Sequence, residues 1–251
     1  MRIVVAGSAA SYAGAGQACS SYLVETDGTR LLIDCGNGSL ANLAKVTDPL
    51  ALDAIFVTHR HPDHFLDLFA LQAAIRYAPS GPVPVRPVPL YAPAGLYESM
   101  SCLLDGRGKE DFHASFALQT IEPRRAIAVG DIEVMPAPVE HIPDTFALRV
   151  ACDGKLLCYT SDSRFGDPVL DAASGADVLL CEATLPAEYA GRAPHMTAEE
   201  AGRVATQAGV GTLVLTHLWP TADRGELLAG ARRTFGGEIV LAVEMLTVEV
   251  G

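Results

Sequence analysis

The stretch FVTHRHPDHF (residues 56–65) restricts the possible folds of this chain more than any other segment. The apolar run before it predicts a buried strand, and His59 and His61 lie two positions apart, so in extended backbone their side chains point the same way. A proline then ends the strand, and Asp63 and His64 begin a predicted helix. Two imidazoles thus face one point, and a carboxylate with an imidazole faces an adjacent one, which suits two neighbouring metal ions better than one.

Three later strands also lead into side chains that bind metals. His141 follows PAPVE, Asp162 follows LLCYTS and His217 follows LVLT. Sites in α/β folds form where strands end, so we expect these three residues to join the first four. Seven ligands are enough for two ions that share one carboxylate. Imidazole and carboxylate donors without thiolate fit zinc, with manganese or iron as alternatives. Taken singly, each residue also fits an ordinary polar position at a strand end.

The rest of the chain predicts two halves that each contain strands and helices. This pattern predicts one layered α/β domain over residues 1–251, with two sheets packed together and helices outside. Thr197 and Glu200 have the spacing of a capping box at the start of one helix. The predicted strands are 2–7, 21–26, 30–34, 54–59, 88–93, 116–122, 131–141, 146–152, 155–162, 176–183, 212–217 and 238–243. The predicted helices are 39–46, 63–78, 94–104, 197–209 and 224–235.

Two segments have no assigned role. The proline-rich stretch SGPVPVRPVPL (80–90) is predicted to be extended, because proline fixes its own backbone angle and cannot donate a hydrogen bond. The polar stretch DGRGKEDFH (105–113) predicts a loop. His113 at its end is expected to face solvent, with contact to a substrate as the alternative.

The charge of the chain limits its partners. The formal net charge is −12, and only three of the 251 residues are lysine. A large RNA partner is therefore disfavoured, because binding to a phosphate backbone needs clustered basic residues. A small anionic substrate held by metal ions remains compatible, since bound cations reverse the local sign.

The location of the protein is also constrained. No apolar stretch is long enough to span a membrane, and the N-terminal MRIVVAGSAAS predicts a first strand rather than a signal peptide. The six cysteines form no CxxC pair, which favours buried thiols in a reducing compartment over disulfides or a zinc knot. A cytoplasmic location is the default expectation.

The ordered pattern THRHPDH, His141, Asp162 in YTSDS and His217 in LTH resembles the metallo-β-lactamase superfamily of hydrolases. The resemblance covers nearly the whole chain. It implies a four-layer αββα sandwich of two mixed sheets with a two-metal site at one edge, and a water or hydroxide between the metals as nucleophile. It assigns Asp162 as the bridging ligand and counts Asp63 among the catalytic residues. The remaining assignments are His59, His61 and His141 to the first metal, and Asp63, His64 and His217 to the second.

A second stretch, CEATLPAEYAGRAPHMTAEEAG (181–202), resembles ribonuclease Z and its phosphodiesterase relatives. There the histidine, here His195, contacts the scissile phosphate or the leaving oxygen, and the glutamate, here Glu182, orients it. A histidine held by a carboxylate has a raised pKa and can act as a general acid. The helix start at Thr197 favours a phosphate. The alternative is that a strand-end glutamate and a helix-entry histidine have no joint role.

The chain departs from ribonuclease Z in one respect. Between His64 and His141 it has no glycine-rich basic arm of the kind that grips tRNA in that family. Its layout is more similar to the compact bacterial branch of small-substrate phosphodiesterases. GSAASYAG near the N-terminus and CGNGSLANL (35–43) match that branch, and glycines there let backbone approach the metals.

The expected function is therefore a phosphodiesterase with two divalent metal ions that cleaves a small phosphodiester, with cAMP as the first candidate. One alternative is a ribonuclease Z-like endonuclease that processes RNA 3′ ends. Another is an ester, thioester or lactam hydrolase, in which Glu182 and His195 would have no clear task. A further alternative is a metal-binding module without catalysis. The resemblance also implies a homodimer.

Overall fold

The computed structural model describes residues 1–78 and 86–251. The strands of this part of the chain are Arg2–Gly7 (β1), Ser21–Glu25 (β2), Arg30–Ile33 (β3), Ala54–Phe56 (β4), Val88–Ala92 (β5), Phe116–Thr120 (β6), Ile127–Val129 (β7), Ile132–Pro138 (β8), Phe146–Cys152 (β9), Lys155–Tyr159 (β10), Val178–Glu182 (β11), Thr212–Thr216 (β12), Glu238–Leu241 (β13) and Thr247–Glu249 (β14). The α-helices are Ser39–Val46 (α1), Asp67–Tyr77 (α2), Leu96–Ser101 (α3), Gly106–Ser115 (α4), Asp167–Ala173 (α5), Ala198–Gln207 (α6) and Arg224–Arg232 (α7). None of these helices is long and apolar enough to cross a membrane.

The strands form two mixed sheets of seven strands each. The N-terminal sheet has the order β14-β1-β2-β3-β4-β5-β6, and the C-terminal sheet has the order β13-β12-β11-β10-β9-β8-β7. In the first sheet β3, β4, β5 and β6 run parallel, and in the second β10, β11, β12 and β13 do. The remaining pairs are antiparallel. Because parallel strands end at the same edge, each sheet gathers several strand ends on one side of the molecule.

Both sheets are buried on both faces, which explains the near-continuous apolar runs of their strands. Tyr22 and Tyr159 point into the core between the sheets, and Leu23 points into the layer under helices α1 to α4. Cys158 points the other way, into the layer under α5, α6 and α7. The alternation of side chains along each strand therefore fills three apolar layers. Each fully buried large apolar side chain contributes about 1.5–3 kcal/mol to folding. The predicted four-layer αββα sandwich is confirmed.

The structure corrects several predicted elements. Residues 106–115 form helix α4 rather than a loop, because the Asp105 side chain accepts a hydrogen bond from the Gly108 N–H at 2.7 Å and caps the helix start. The buried Phe112 then holds α4 on the N-terminal sheet. The sequence analysis also missed the short edge strands β7 and β14, which depend on pairing with β8 and β1.

Other predictions hold with shifted ends. The predicted helix 63–78 begins at Asp67, since residues 62–64 form a separate 3₁₀ turn. The capping box of Thr197 and Glu200 is present at the start of α6. Within the proline-rich segment, residues 80–85 lie outside the described residues, and residues 88–90 belong to β5 as an extended strand.

Candidate metal centre and active site

All seven predicted metal ligands lie together where strands of the two sheets end. Their donor atoms form compact groups, in each of which the atoms lie within 4.8 Å of one another. The first group combines two histidines of the opening stretch with two residues that follow strands of the C-terminal sheet. The second group also combines both sources, and the third includes His195. The groups are His59, His61, His141 and Asp162; Asp63, His64 and His217; and Asp162, His195 and His217.

The first group has the spacing of a tetrahedral zinc site. His61 Nδ1 lies 3.1 Å from His59 Nε2 and 3.0 Å from His141 Nε2. Asp162 Oδ2 lies 3.5 Å from His59 Nε2 and 3.7 Å from His141 Nε2. Tetrahedral zinc with ordinary bonds requires ligand atoms separated by about 3.3 Å. His141 Nδ1 donates to the Pro194 carbonyl at 3.0 Å, which leaves its Nε2 lone pair directed at the group.

The second group lies beside the first. His217 Nε2 is 3.2 Å from Asp63 Oδ2 and 3.4 Å from His64 Nε2. His64 Nε2 is 3.8 Å from Asp63 Oδ2 and 3.5 Å from Asp162 Oδ1. The two carboxylate oxygens of Asp162 therefore face different groups, Oδ2 the first and Oδ1 the second.

The donor set fits divalent cations. Asp162 is 1% exposed, and its Oδ1 has no hydrogen-bond partner among the described residues. An unpaired buried carboxylate oxygen costs free energy unless a cation or donor meets it. In the first group, lone pairs of several imidazoles converge on one point, where one proton can satisfy only one pair and a cation satisfies them all. Both observations indicate that residues of this chain can hold divalent ions.

The protonation states of these histidines and of Asp162 agree with the binding of divalent ions. Burial lowers the pKa of His59, His61 and His141, so these rings are neutral at pH 7 and offer lone pairs. Burial also opposes charge on Asp162, but the surrounding histidines outweigh it and hold its pKa well below the usual range. For His64 burial lowers the pKa, yet neighbouring carboxylates raise it well above the usual value. A metal at His64 must therefore displace a proton.

Asp34 is a positioning residue that the sequence analysis missed. Its fully buried carboxylate accepts hydrogen bonds from His64 Nδ1 at 2.7 Å and from the Thr58 N–H at 2.8 Å. The bond to His64 fixes the ring so that Nε2 faces the second group. Asp34 follows β3 directly, in the sequence RLLID, so it carries the same strand-end signal as the predicted ligands.

Thr184 has the equivalent position behind His217. Its hydroxyl donates to the His217 carbonyl at 3.0 Å and lies 2.8 Å from His217 Nδ1, so it accepts the Nδ1–H. This bond directs Nε2 of His217 towards Asp63. No spacing signal marked Thr184, because the contact joins two parallel strands at their ends.

The backbone around the site is unusual in two ways. Asp34, Ser161 and His217 have positive φ angles of 55°, 54° and 51°. Such angles are costly for residues other than glycine and cluster where function requires them. At Gly36 a Cβ atom would lie 2.1 Å from the Asp63 carbonyl oxygen, so only glycine allows this close approach.

Glu182 and His195 form a hydrogen-bonded pair. His195 Nδ1 donates to Glu182 Oε1 at 2.9 Å. Glu182 is fully buried and also accepts from the backbone N–H groups of Ser163 at 2.9 Å and Thr184 at 3.1 Å. Burial lowers the pKa of His195, but the hydrogen bond and charge of Glu182 more than offset this and raise it to about 8. His195 is thus largely protonated at neutral pH, and it stacks on His217 with ring centroids 5.9 Å apart.

His113 is the one histidine of the chain outside these groups. It is exposed on α4, as the sequence analysis expected, and its ring packs 4.7 Å from that of Tyr97. The sequence analysis also expected glycines in residues 35–43 to let the backbone approach the site, and the position of Gly36 agrees with this.

The fold and the donor set agree with a family match. The family described as "Beta-lactamase superfamily domain" matches residues 29–218, more than half of the chain. The chain therefore belongs to the metallo-β-lactamase superfamily, and it is a metal-dependent hydrolase.

Particular relatives extend this result. An uncharacterized protein of Mycobacterium tuberculosis is 32% identical over 257 residues that cover 100% of this chain and 92% of the relative. The probable metallo-hydrolase YhfI of Bacillus subtilis is 28% identical, covering 96% of this chain and 97% of the relative. Its crystal structure gives a TM-score of 0.89 at 27% identity and covers 98% of each chain. Ribonuclease Z of Haloarcula marismortui is 28% identical, with 96% of this chain and 94% of the relative covered.

Proposed function

We propose that this protein is a phosphodiesterase with two metal ions that cleaves a small phosphodiester, with a cyclic nucleotide such as cAMP as the first candidate. The observation that carries the proposal is the 2.9 Å contact between His195 and Glu182 beside the two ligand groups. Phosphodiester cleavage leaves an alkoxide that needs a proton. A protonated histidine at the edge of the ligand groups can supply it, whereas an ester or lactam hydrolase gives this pair no task.

The proposed ligand assignment follows the distances. His59, His61, His141 and Asp162 would hold the first ion. The second group, together with Asp162, would hold a second ion. We take both ions to be Zn²⁺, because nitrogen and oxygen donors without thiolate at tetrahedral spacing suit zinc, with Mn²⁺ or Fe as alternatives. The members of the second group are Asp63, His64 and His217.

The chain supplies the rest of the chemistry. When bound, two cations polarise a phosphoryl group and make water a better nucleophile. The Ser11 N–H donates to Asp63 Oδ2 at 2.8 Å and thereby orients the Asp63 carboxylate in the second group. Glu182 keeps the Nδ1–H of His195 directed at itself, so the Nε2–H of His195 is free to protonate the leaving oxygen. The start of α6, two residues later, favours a phosphate nearby.

Charge and size support a small substrate. The net charge is −12, which opposes a long phosphate backbone. Residues 106–115 form a helix on the N-terminal sheet rather than an extended arm. The alignment with Haloarcula ribonuclease Z runs over 297 positions, more than the 251 residues of this chain, so that relative has segments which this chain lacks.

A substrate panel tests the proposal. The zinc- or manganese-loaded protein should hydrolyse bis-p-nitrophenyl phosphate and at least one cyclic nucleotide or dinucleotide. His195→Ala should lower that rate about 100- to 10,000-fold, the usual contribution of a general acid, while the metal content stays the same. An unchanged rate in His195→Ala would refute the assigned role, and absence of hydrolysis across the panel would refute the proposed activity.

A second candidate is cleavage of RNA 3′ ends, since ribonuclease Z relatives are 28% identical over nearly the whole chain. This function predicts cleavage of a pre-tRNA, with a rate that falls steeply as salt rises because many phosphates are contacted. A small phosphodiester makes few such contacts, so its hydrolysis should depend weakly on salt. The two salt slopes separate the candidates.

Three further expectations remain proposals. We propose that residues 1–251 form one domain, supported by the shared core between the two sheets. A cytoplasmic location is supported by six free cysteines, five of them buried. A homodimer rests on the family resemblance alone, and light scattering of the purified protein tests it.

A further inference from the structure

An aromatic pair lies near the candidate active site without a role in the proposed chemistry. The ring centroids of Tyr12 and Trp219 are 5.8 Å apart at an interplanar angle of 49°. Tyr12 is 46% exposed and Trp219 is partly buried. Trp219 is the one tryptophan of the chain. Exposed aromatic rings close to a reaction centre are common contacts for planar ligands.

Tyr12 is tied to the second ligand group. The N–H of its neighbour Ser11 donates to Asp63 Oδ2 at 2.8 Å, and Ser11 has a φ angle of 58°. Backbone geometry then places the Cα atom of Tyr12 within about 8 Å of that carboxylate oxygen. The backbone of this loop is therefore held at the site, while the Tyr12 ring remains open to solvent.

Trp219 is tied to the same group from the other side. It lies two residues after His217, and the intervening Leu218 bonds to the Tyr12 loop in both directions. The Ala10 N–H donates to the Leu218 carbonyl at 3.0 Å, and the Leu218 N–H donates to the Ser8 carbonyl at 2.9 Å. The backbone segments that carry the two aromatic residues are therefore hydrogen-bonded to each other and to the second ligand group.

A cleft provides room beside Trp219. It has a volume of about 670 Å³, within the range of pockets that bind small ligands. Thr184, the hydrogen-bond partner of His217, also lines it. The charged residues that line the cleft are mostly acidic, so the cleft repels a phosphate and admits an uncharged ring. The charged lining residues are Glu188, Glu199, Asp223, Glu226 and Arg233.

We propose that Trp219, with Tyr12 beside it, is the stacking surface for the base of a nucleotide substrate. The inference rests on the proposed function, since the phosphate of that nucleotide lies at the two ligand groups. The opposite charge of the two regions orients the substrate, with its phosphate at the cations and its base at the aromatic pair. Stacking on an aromatic ring tolerates any base, because every base has a π face.

A competing place for the base exists on the opposite flank. A cleft of about 500 Å³ is lined by His141, Ile142 and Arg164. Its aromatic rings are those of Phe146, which is only 4% exposed, and of His141, a proposed metal ligand. The Nε2 of His141 is directed at the first ligand group, and the arginine of this cleft suits an anion better than an uncharged base.

The single tryptophan allows a direct test. Metal-loaded protein is titrated with adenosine 5′-monophosphate, with ribose 5-phosphate as the base-free control, and fluorescence is excited at the red edge of tryptophan absorption, where purines do not absorb. Saturable quenching by the nucleotide and none by the sugar phosphate is the expected result. Absence of quenching at nucleotide concentrations that inhibit hydrolysis would overturn the proposal.

Variants locate the base. Trp219→Ala should raise KM for a cyclic nucleotide about 10- to 100-fold with little change in kcat, and Trp219→Phe should retain most of the affinity. Tyr12→Ala, at a side chain that is 46% exposed, should weaken nucleotide binding to a smaller extent. Ile142→Ala in the opposite cleft is the matched control and should leave KM unchanged. An equal rise in KM for Ile142→Ala and Trp219→Ala would contradict the assignment.

The outcomes separate this inference from the proposed function. If cyclic nucleotides are hydrolysed but Trp219 does not respond to the nucleotide, only the stacking surface is wrong. If the nucleotide quenches Trp219 but no phosphodiester is cleaved, the proposed activity is wrong and the binding site stands.

Discussion

The two sheets supply the candidate site in different ways. The N-terminal sheet contributes four proposed ligands from one segment of six residues, 59–64, directly after β4. The C-terminal sheet contributes single residues from separate strand ends: His141 after β8, Asp162 after β10, Glu182 at the end of β11 and His217 after β12. A local segment positions its side chains through its own backbone, whereas separate residues depend on the register of the sheet.

That register is well defined in the C-terminal sheet. The parallel strands β10, β11 and β12 pair Tyr159 with Leu180 and Glu182 with Thr216. Their ends therefore lie at one edge, and Asp162 reaches both ligand groups. The N-terminal sheet thus supplies two members to each of the first two groups, and Asp162 of the C-terminal sheet faces both of them.

The largest effect is expected at the joining residue. Asp162→Ala should remove both ions and lower hydrolysis about a thousandfold or more, because two cations supply several kcal/mol of stabilisation to the reaction. Mass spectrometry of metal content is the measurement. His217→Ala is the control and should leave one ion per chain. Two bound ions in Asp162→Ala would contradict a bridging role.

The next effect concerns Asp34, which positions His64, a proposed ligand of the N-terminal segment. Asp34→Asn keeps the side-chain volume but replaces the carboxylate that accepts from His64 at 2.7 Å. Metal affinity should fall about 10- to 100-fold, as is usual when the partner of a ligating histidine changes. Competition with a zinc chelator measures this affinity. Unaltered affinity would mean that the backbone alone orients His64.

A smaller effect is expected at Thr184, which positions His217, one of the proposed ligands from the C-terminal sheet. Thr184→Val removes the hydroxyl that contacts His217 Nδ1 at 2.8 Å. A neutral hydroxyl bonds less strongly than a carboxylate, so affinity should fall only about tenfold or less. If Thr184→Val lowers metal affinity more than Asp34→Asn in the same chelator assay, the hydroxyl behind His217 matters more for metal binding than the carboxylate behind His64, contrary to this prediction.

The smallest effect is a shift in pH dependence. The acid role of His195 needs its protonated form, which is present below its pKa of about 8 and lost as pH rises through that value. Hydrolysis should therefore decline on the alkaline side near pH 8. Glu182→Gln removes the charge that raises this pKa, so the decline should move about one pH unit or more towards acid. A pH–rate profile in which both proteins decline at the same pH would assign the decline to another group.

Much of this arrangement was predictable from local patterns. The segment 59–64 was recognisable because ligand spacing, a preceding apolar strand and a following proline all act within a few residues. Buried strands with continuous apolar runs indicated the two sheets, and Thr197 with Glu200 marked the start of α6. Helix α4 was missed because its polar sequence has one main apolar contact, Phe112, and its stability depends on contacts with α2.

Those contacts are tertiary. Gln72 Nε2 of α2 donates to the Gly108 carbonyl at 3.0 Å, and Arg76 Nε donates to Asp111 Oδ1 at 3.2 Å. Tyr77 at the end of α2 also donates to Asp111. A window along the sequence contains none of these partners, so composition alone predicted a loop.

The sequence by itself indicated the layered class of fold and the seven candidate ligands, because strand periodicity and ligand spacing are local properties. The pairing of Glu182 with His195 was indicated by the resemblance to ribonuclease Z and its phosphodiesterase relatives. Only the tertiary structure decided which oxygen of Asp162 faces which group, that Asp34 and Thr184 orient their histidines, and that Tyr12 meets Trp219. Such contacts join residues far apart in the chain. They exist only once the register of two sheets has brought strand ends to one edge.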